Sequence, residues 1–340
     1  MSTFRHTIWI LAVTLGLTIA SQSGAQNAVA SWHAVVEPTV AGSGRKNAVA
    51  LPYYTYVDVA MYDAVTAIDR RSQPFAVRVD APRAASQDAA AASAAHDVLV
   101  HYFPSQATTL DAALANSLAS IADGQSKTDG IQVGQAVAAQ WLALRSGDGL
   151  EAPLTYTPGH GPGIWEPVPT YPAPPQNTPP APVGVWLTQF KPFALASADQ
   201  FLVDIPPPPP LKSTAWAINF NLTKTYGEQN STVRTAAQTE IGRFWTDDAA
   251  AQYSRAFRAL VASRGLSTAA AARLAAMYSV AAADAVTACM NAKYHFAFWR
   301  PYTAIHDADT DGNPDTIADP NWVPLAVTPA TRNIPPIMAA

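Results

Sequence analysis

Seventeen of the chain's 29 prolines fall between Pro153 and Pro210, and this crowding decides most of what the 340 residues can become. Proline lacks the amide donor that helices and sheet ladders use, so a stretch this rich in it is a connection. Its run from Pro206 to Pro210 is expected as an extended polyproline II rod. On both sides the chain is alanine-rich, with apolar residues at helical spacing. Before it, Val57, Ala60, Met61, Ala64, Val65 and Ile68 mark a helix over 53–68, and 84–102, 106–122 and 128–145 continue the pattern. Gly124 and Gly147-Asp148-Gly149 read as helix stops. After it, helices are expected over 213–226, 233–244, 249–263 and 268–298, the last opened by Ser267 as N-cap. In that longest helix, Leu274, Met277, Tyr278, Ala281, Ala285, Ala288 and Ala292 form the stripe expected to be buried. The fold class is therefore all-α, a helical bundle with an N-terminal part over 26–152, a proline-rich belt over 153–210 and a C-terminal helical part over 211–340. Trp165, Trp186 and Phe190 are placed to pin the belt onto the bundle, which makes one unit of these parts.

Ahead of the first helix, Arg5-His6 and an apolar run from about Thr7 to Ala20 end at Ser23-Gly24-Ala25. This pattern reads as a secretory signal peptide over 1–25 with no membrane anchor after cleavage, so the expected location is periplasmic or extracellular. The single cysteine, Cys289, can form no intrachain disulfide, and an exported chain of this kind must stand on its core. A net charge of -4 with 14% charged residues leaves no electrostatic footprint for nucleic acid or anionic lipid.

The chemistry concentrates in Asn291-Ala-Lys-Tyr-His-Phe-Ala-Phe-Trp-Arg-Pro-Tyr-Thr-Ala-Ile305. Lys293 and Arg300 are seven positions apart, nearly the same face of a helix and roughly 10 Å along its axis. Pro301 disfavours the α region at Arg300, so the helix is expected to end near Trp299 and the guanidinium to turn back toward the ammonium. Two cations repel unless an anion lies between them, and a planar fork with a point charge suits a compact tetrahedral oxyanion. Phe296, Phe298 and Trp299 would keep water away. Spacing alone leaves a second reading open, in which both are solvated charges flanking a buried aromatic seam.

Other features are weaker. His96 and His101 are five apart and do not share a face as a metal pair at i, i+4 would, so they read as core or surface histidines. Gly159-His-Gly-Pro-Gly163 lacks the Lys-Ser/Thr of a phosphate loop. Asp284 reads either as a satisfied buried acid or as a residue supporting the site. Asp307, Asp309 and Asp311 with Gly312 imitate the start of a calcium loop, but the twelfth position is Ala318; the alternative is an acidic turn capped by its own side chains.

The segment 291–305, followed by Asp311-Gly-Asn-Pro314 and Trp322-Val-Pro-Leu325, resembles the bacterial vanadium-dependent haloperoxidases, which belong with the type-2 phosphatidic acid phosphatases. The resemblance is specific over 291–329 and looser before it, in the helix pattern and in Ala60-Met-Tyr-Asp-Ala-Val65. It implies that Lys293 and Arg300 hold equatorial oxygens of vanadate or of a phosphoryl group. It further implies either halide oxidation by peroxide on bound vanadate, or phosphoester hydrolysis through a histidine, with a small oxyanion, halide and peroxide as partners.

After Pro329 such proteins continue roughly as His-Pro-Glu-Tyr-Pro-Ala/Ser-x-His-Gly and later supply an Arg and a second His, whereas this chain reads Ala330-Thr-Arg-Asn-Ile-Pro-Pro-Ile-Met-Ala-Ala340. A permitted choice of codons for Ala330 to Ala340, read from the third base of Ala330, encodes His-Pro-Glu-Tyr-Pro-Ala-His-His-Gly. The final Gly is forced by Met338 followed by any Ala codon. A one-nucleotide frameshift is therefore expected, checked by sequencing the locus. The residues present are expected to lack the C-terminal catalytic helices and histidines, not to retain vanadate, and to show little or no turnover. They would leave a weak anion binder or non-catalytic remnant that self-associates through uncovered apolar surface.

Overall fold

The computed structural model describes residues 27–167 and 182–326. The expectations for the leader over 1–25, for the frame change over 330–340 and for the middle of the belt lie outside the described residues. Within them the chain forms ten α-helices and no strand longer than an isolated bridge. The helices are α1 (Ala28–Gly42), α2 (Leu51–Asp69), α3 (Gln87–Tyr102), α4 (Ala107–Ala119), α5 (Gln125–Arg145), α6 (Thr214–Gly227), α7 (Ala236–Phe244), α8 (Ala249–Arg264), α9 (Thr268–Phe296) and α10 (Pro301–His306).

α2 is the axis. A helix apolar on every side belongs in the interior, and nearly all of α2 is buried, Val57, Ala60, Met61, Ala64, Val65 and Ile68 included. α3, α5 and α9 pack around it. α3 and α5 approach so closely that a Cβ on Gly134 would lie 2.4 Å from the Ala90 carbonyl oxygen, which explains a glycine inside an otherwise regular helix. α1, which the sequence reading did not separate from the segment after the leader, starts where the Asn27 side chain accepts the amides of Val29 and Ala30. Its His33 Nε2 meets Asp58 of α2 at 2.8 Å with neither side chain exposed.

Buried carboxylates hold the loops against this bundle. Asp63 accepts the amides of Phe75, Ala76 and Val77, and Asp284 accepts those of Phe193, Ala194 and Leu195 at 2.7 to 2.9 Å. Asp284 is thus a satisfied buried acid that anchors the belt. Burial pushes the Asp63 carboxyl above its usual range, against the pull of its three amide donors. Asp148, within the expected Gly147–Gly149 helix stop, takes the Tyr56 hydroxyl and Arg145 Nε on one oxygen, so that loop is wired into α2 and α5. Gly124 does not stop a helix; at φ 143 it is the N-cap of α5.

Trp165, Trp186 and Phe190 are buried, and Trp186 and Phe190 join the core around α2. Two expectations for α9 need correction. It ends at Phe296, three residues before Trp299, because Ala297 turns into the left-handed region at φ 43, ψ 42 and closes the helix on the Lys293 carbonyl. Its buried stripe is Ala272, Ala275, Ala276, Ser279, Ala283, Thr287 and Met290, while Met277, Ala281 and Ala285 are exposed. Alanine is apolar on every face and gives the periodicity little contrast, and Thr287 enters the core by donating to the Ala283 carbonyl at 2.8 Å. α9 is long and apolar enough to cross a membrane by length and composition, yet one face is packed on α2 as a core helix would be.

Candidate functional site

The candidate site is the turn between α9 and α10. Lys293 lies in the last turn of α9 and is part-buried, as is Arg300. From Ala297 the chain runs extended and pairs with the belt. Ile164 and Phe298 form an antiparallel bridge, Trp165 N donates to the Ala297 carbonyl at 2.6 Å, and Trp299 N donates to the Gly163 carbonyl at 3.1 Å. The glycine-rich stretch 159–163 therefore serves as the partner that fixes this turn, with Gly163 at φ 80 where a glycine is needed. Arg300 is extended, at φ -77 and ψ 154, as the following proline requires. Pro301 opens α10, whose first turn bonds Ala304 N to the Arg300 carbonyl at 2.9 Å.

Beneath the turn is a second core, separate from the α2 core, built from Trp216, Phe220, Phe298, Trp299, Ile305 and Trp322. Trp216 stacks on Trp299 with centroids 5.8 Å apart and meets Phe298 edge-on at 5.4 Å. The Asp307–Gly312 segment supports this core. Asp311 is buried, and its oxygens accept Trp216 Nε1 at 2.8 Å, the Asn313 amide at 2.7 Å and the Thr316 hydroxyl. Asp307 and Asp309 are exposed, and no cluster of His, Cys, Asp or Glu suited to a metal ion forms among the described residues. The acidic segment is a turn capped by its own side chains that ties α10 to α6.

Burial holds the Arg300 guanidinium down, to about 10 from its ordinary value, and the nearby Tyr294 hydroxyl partly opposes this. A cation in such a place is desolvated and so more responsive to an anion than one in water. The segments that form this turn and its belt partner carry buried polar atoms without a hydrogen-bond partner: Trp165 Nε1, Asn291 Oδ1, Trp299 Nε1 and Thr303 Oγ1. Each such atom costs roughly 1–3 kcal/mol unless something fills its valence. An indole N–H can only donate and a hydroxyl can donate, so three of the four suit the oxygens of an anion.

The described histidines of this region are placed elsewhere. His295 is exposed, His306 Nε2 lies 2.9 Å from the Trp322 carbonyl, and His160 pairs with Glu166 at the surface. His96 sits between Asp97 and Asp111 at 2.8 Å from each, and His101 is exposed, so neither is a metal pair. Sequence reasoning singled out the two cations and the aromatic residues beside them; it did not single out Thr303, the buried indole donors or Trp216.

Residues 273–336 match the family model of the VCPO second helical-bundle domain. A bacterial vanadium-dependent iodoperoxidase structure matches with TM-score 0.71 at 19% identity, covering 91% of this chain and 75% of its own. The chain thus resembles the vanadium haloperoxidases in sequence over 273–336 and shares their fold. Two structures of bacterial vanadium-dependent chloroperoxidase, holo and apo, share the fold at TM-scores 0.61 and 0.58 with 14% and 16% identity. They cover 76% and 77% of this chain, which spans 63% and 65% of theirs, just under two thirds. No protein of curated function matches the sequence. The residues matched by that domain model include both cations, Lys293 and Arg300.

Proposed function

We propose that this is an exported haloperoxidase-like protein in which Lys293 and Arg300 form half of a site for a tetrahedral oxyanion, vanadate or phosphate. The observation that supports the reading is a desolvated guanidinium at the α9–α10 turn, on segments whose Trp165, Asn291, Trp299 and Thr303 side chains carry buried polar atoms without a hydrogen-bond partner. In a well-packed interior nearly every such atom is paired, and a bound polar group would pair those on these adjoining segments.

The donor set fits the oxygens of vanadate, not its metal. Lys293 would hold an equatorial oxygen as a point charge and Arg300 two through its fork, with the Trp299 and Trp165 indoles and the Thr303 hydroxyl as further donors. The stacked Trp216, Phe298 and Trp299 would exclude water and strengthen each of these contacts. Vanadate, when bound by a complete set of ligands, supplies a Lewis-acidic centre that polarises peroxide for attack by halide. In this reading Lys293, Arg300 and these donors bind and orient the oxyanion, and little or no turnover is expected of them. Export rests on the N-terminal pattern, which lies outside the described residues.

The test is an assay of purified protein with vanadate, bromide and peroxide, and separately with an aryl phosphate. Oxyanion binding without turnover is expected in both. Turnover that disappears in Lys293→Ala and Arg300→Ala variants would overturn the non-catalytic part of the reading and leave the site in place.

A further inference from the structure

α4 is lightly attached to the bundle. Of its 13 residues only Leu110 is buried, and no side chain caps its N-terminus. A helix of this length is marginal in water on its own, so its order rests on what it touches. After Leu110 only Ala113, Leu114, Ser117 and Leu118 are even half-buried, and the remaining side chains are exposed. The chain is tied down on either side of it. Before α4, Gln106 Nε2 donates to the Thr39 carbonyl at 2.9 Å; after it, Lys127 Nζ reaches Asp123 at 2.9 Å and the Ile121 carbonyl at 3.3 Å. What remains to hold α4 between these ties, besides its apolar contacts with α3 and α1, is His96 of α3.

The His96 ring is part-buried, with Nδ1 at 2.8 Å from Asp97 Oδ1 and Nε2 at 2.8 Å from Asp111 Oδ1. The charges that face it are thus Asp97 on its own helix and Asp111 on α4, while α1 presents the ring of Trp32, edge-on at 6.4 Å. A neutral imidazole carries one N–H, so between two carboxylates one of its nitrogens would set a lone pair against an oxygen. Only the imidazolium donates to both, in charge-assisted bonds. The hydrogen bond to Asp97 raises the ring's pKa above its ordinary value, partial burial opposes this, and the bond to Asp111 adds to the rise. A base raised in the folded state contributes stability that is present in full below its unfolded value and is lost as pH rises through the folded one. Asp97 neighbours His96 on α3 and moves with it. The bond to Asp111 is the one that joins two helices.

We propose that His96 is a pH-sensitive clasp: its imidazolium, shared between Asp97 and Asp111, holds α4 closed on α3, and loss of the proton frees α4 to open between its tied ends. Opening would uncover Leu110, Leu114 and Leu118. The full chain is followed by amide hydrogen exchange in acid-side and alkaline-side buffers, with rates corrected for the intrinsic effect of pH and α4 compared with the buried α2. From about pH 5.5, below the free imidazole value, to about pH 9, above it, opening of α4 in wild type is expected to rise roughly fivefold relative to α2, the upper end of what a part-exposed ion pair contributes. Asp111→Asn and, independently, His96→Gln are expected to leave α4 equally open in both buffers. His101→Gln, an exposed histidine of the same helix, is expected to keep the wild-type response. Proton NMR of the His96 ring is expected to give a midpoint above the roughly 6.5 of a free imidazole, falling in Asp111→Asn. Exchange of α4 that tracks α2 in both buffers overturns the proposal. So does a pH response that survives both the His96 and the Asp111 changes, one abolished equally by His101→Gln, or a His96 midpoint that Asp111→Asn does not lower.

Discussion

Replacing Arg300 by Met separates the cost of a buried charge from its use. Burial lowers the guanidinium from its ordinary value to about 10. At about 1.4 kcal/mol per pH unit, the folded protein carries a penalty of about 3 kcal/mol for keeping Arg300 charged. The group is a base whose folded value lies below its unfolded one. The unfolded chain therefore holds more proton from about pH 10 up to arginine's ordinary value, stability rises across that window, and below it the penalty is present in full. Met keeps the unbranched stem and removes the charge, so at neutral pH in an anion-poor buffer Arg300→Met should be more stable than wild type. The gain should be about 1–3 kcal/mol, reduced by the packing the guanidinium itself makes. Phosphate at a hundredfold its dissociation constant should then stabilise wild type by about 2.7 kcal/mol and leave the variant unmoved. The assay is urea unfolding followed by tryptophan fluorescence, with and without phosphate. A variant destabilised by the same amount in both buffers would refute the reasoning, since Arg300 would then be an ordinary structural cation.

Three further changes test the scaffold. Gly134→Ala must push α5 away from the Ala90 carbonyl 2.4 Å from its new methyl, and should cost about 1–3 kcal/mol in urea unfolding despite alanine's better helix propensity. Asp284→Ala removes the acceptor of three belt amides and should cost about 3 kcal/mol, with hydrogen exchange speeding up first at Phe193, Ala194 and Leu195. Ala297→Gly should raise stability by about 1 kcal/mol, because the left-handed turn that ends α9 strains an alanine and suits a glycine; a loss in thermal melts would count against the account of that turn.

Much of this fold was legible because its helices are long and its punctuation is proline. The belt, the eight helices expected from periodicity and the extended backbone at Arg300 follow from residue types and spacing alone. The buried face of α9 was not legible, since Ala281 and Ala285 on its open side look no different from Ala272 and Ala283 on its closed side. The polar residues that do face inward, Ser279, Asp284 and Thr287, are the ones a hydrophobic pattern discards. The two cations could be read from 291–305, but their setting could not. Trp165 arrives from more than a hundred residues upstream by strand pairing, and Trp216 by stacking on Trp299, and no local pattern announces either contact. The acidic segment shows the same limit from the other side: its spacing imitates a cation loop, and only the inward turn of Asp311 onto Trp216 reveals a structural acid.

The most direct test is calorimetric titration of the full chain with orthovanadate and, separately, with inorganic phosphate, alongside Lys293→Met and Arg300→Met. Saturable binding of one oxyanion per chain, weakened at least tenfold in each variant, is the predicted result. Binding that ignores both substitutions, or no binding in wild type, would contradict the assignment of this turn as an oxyanion site.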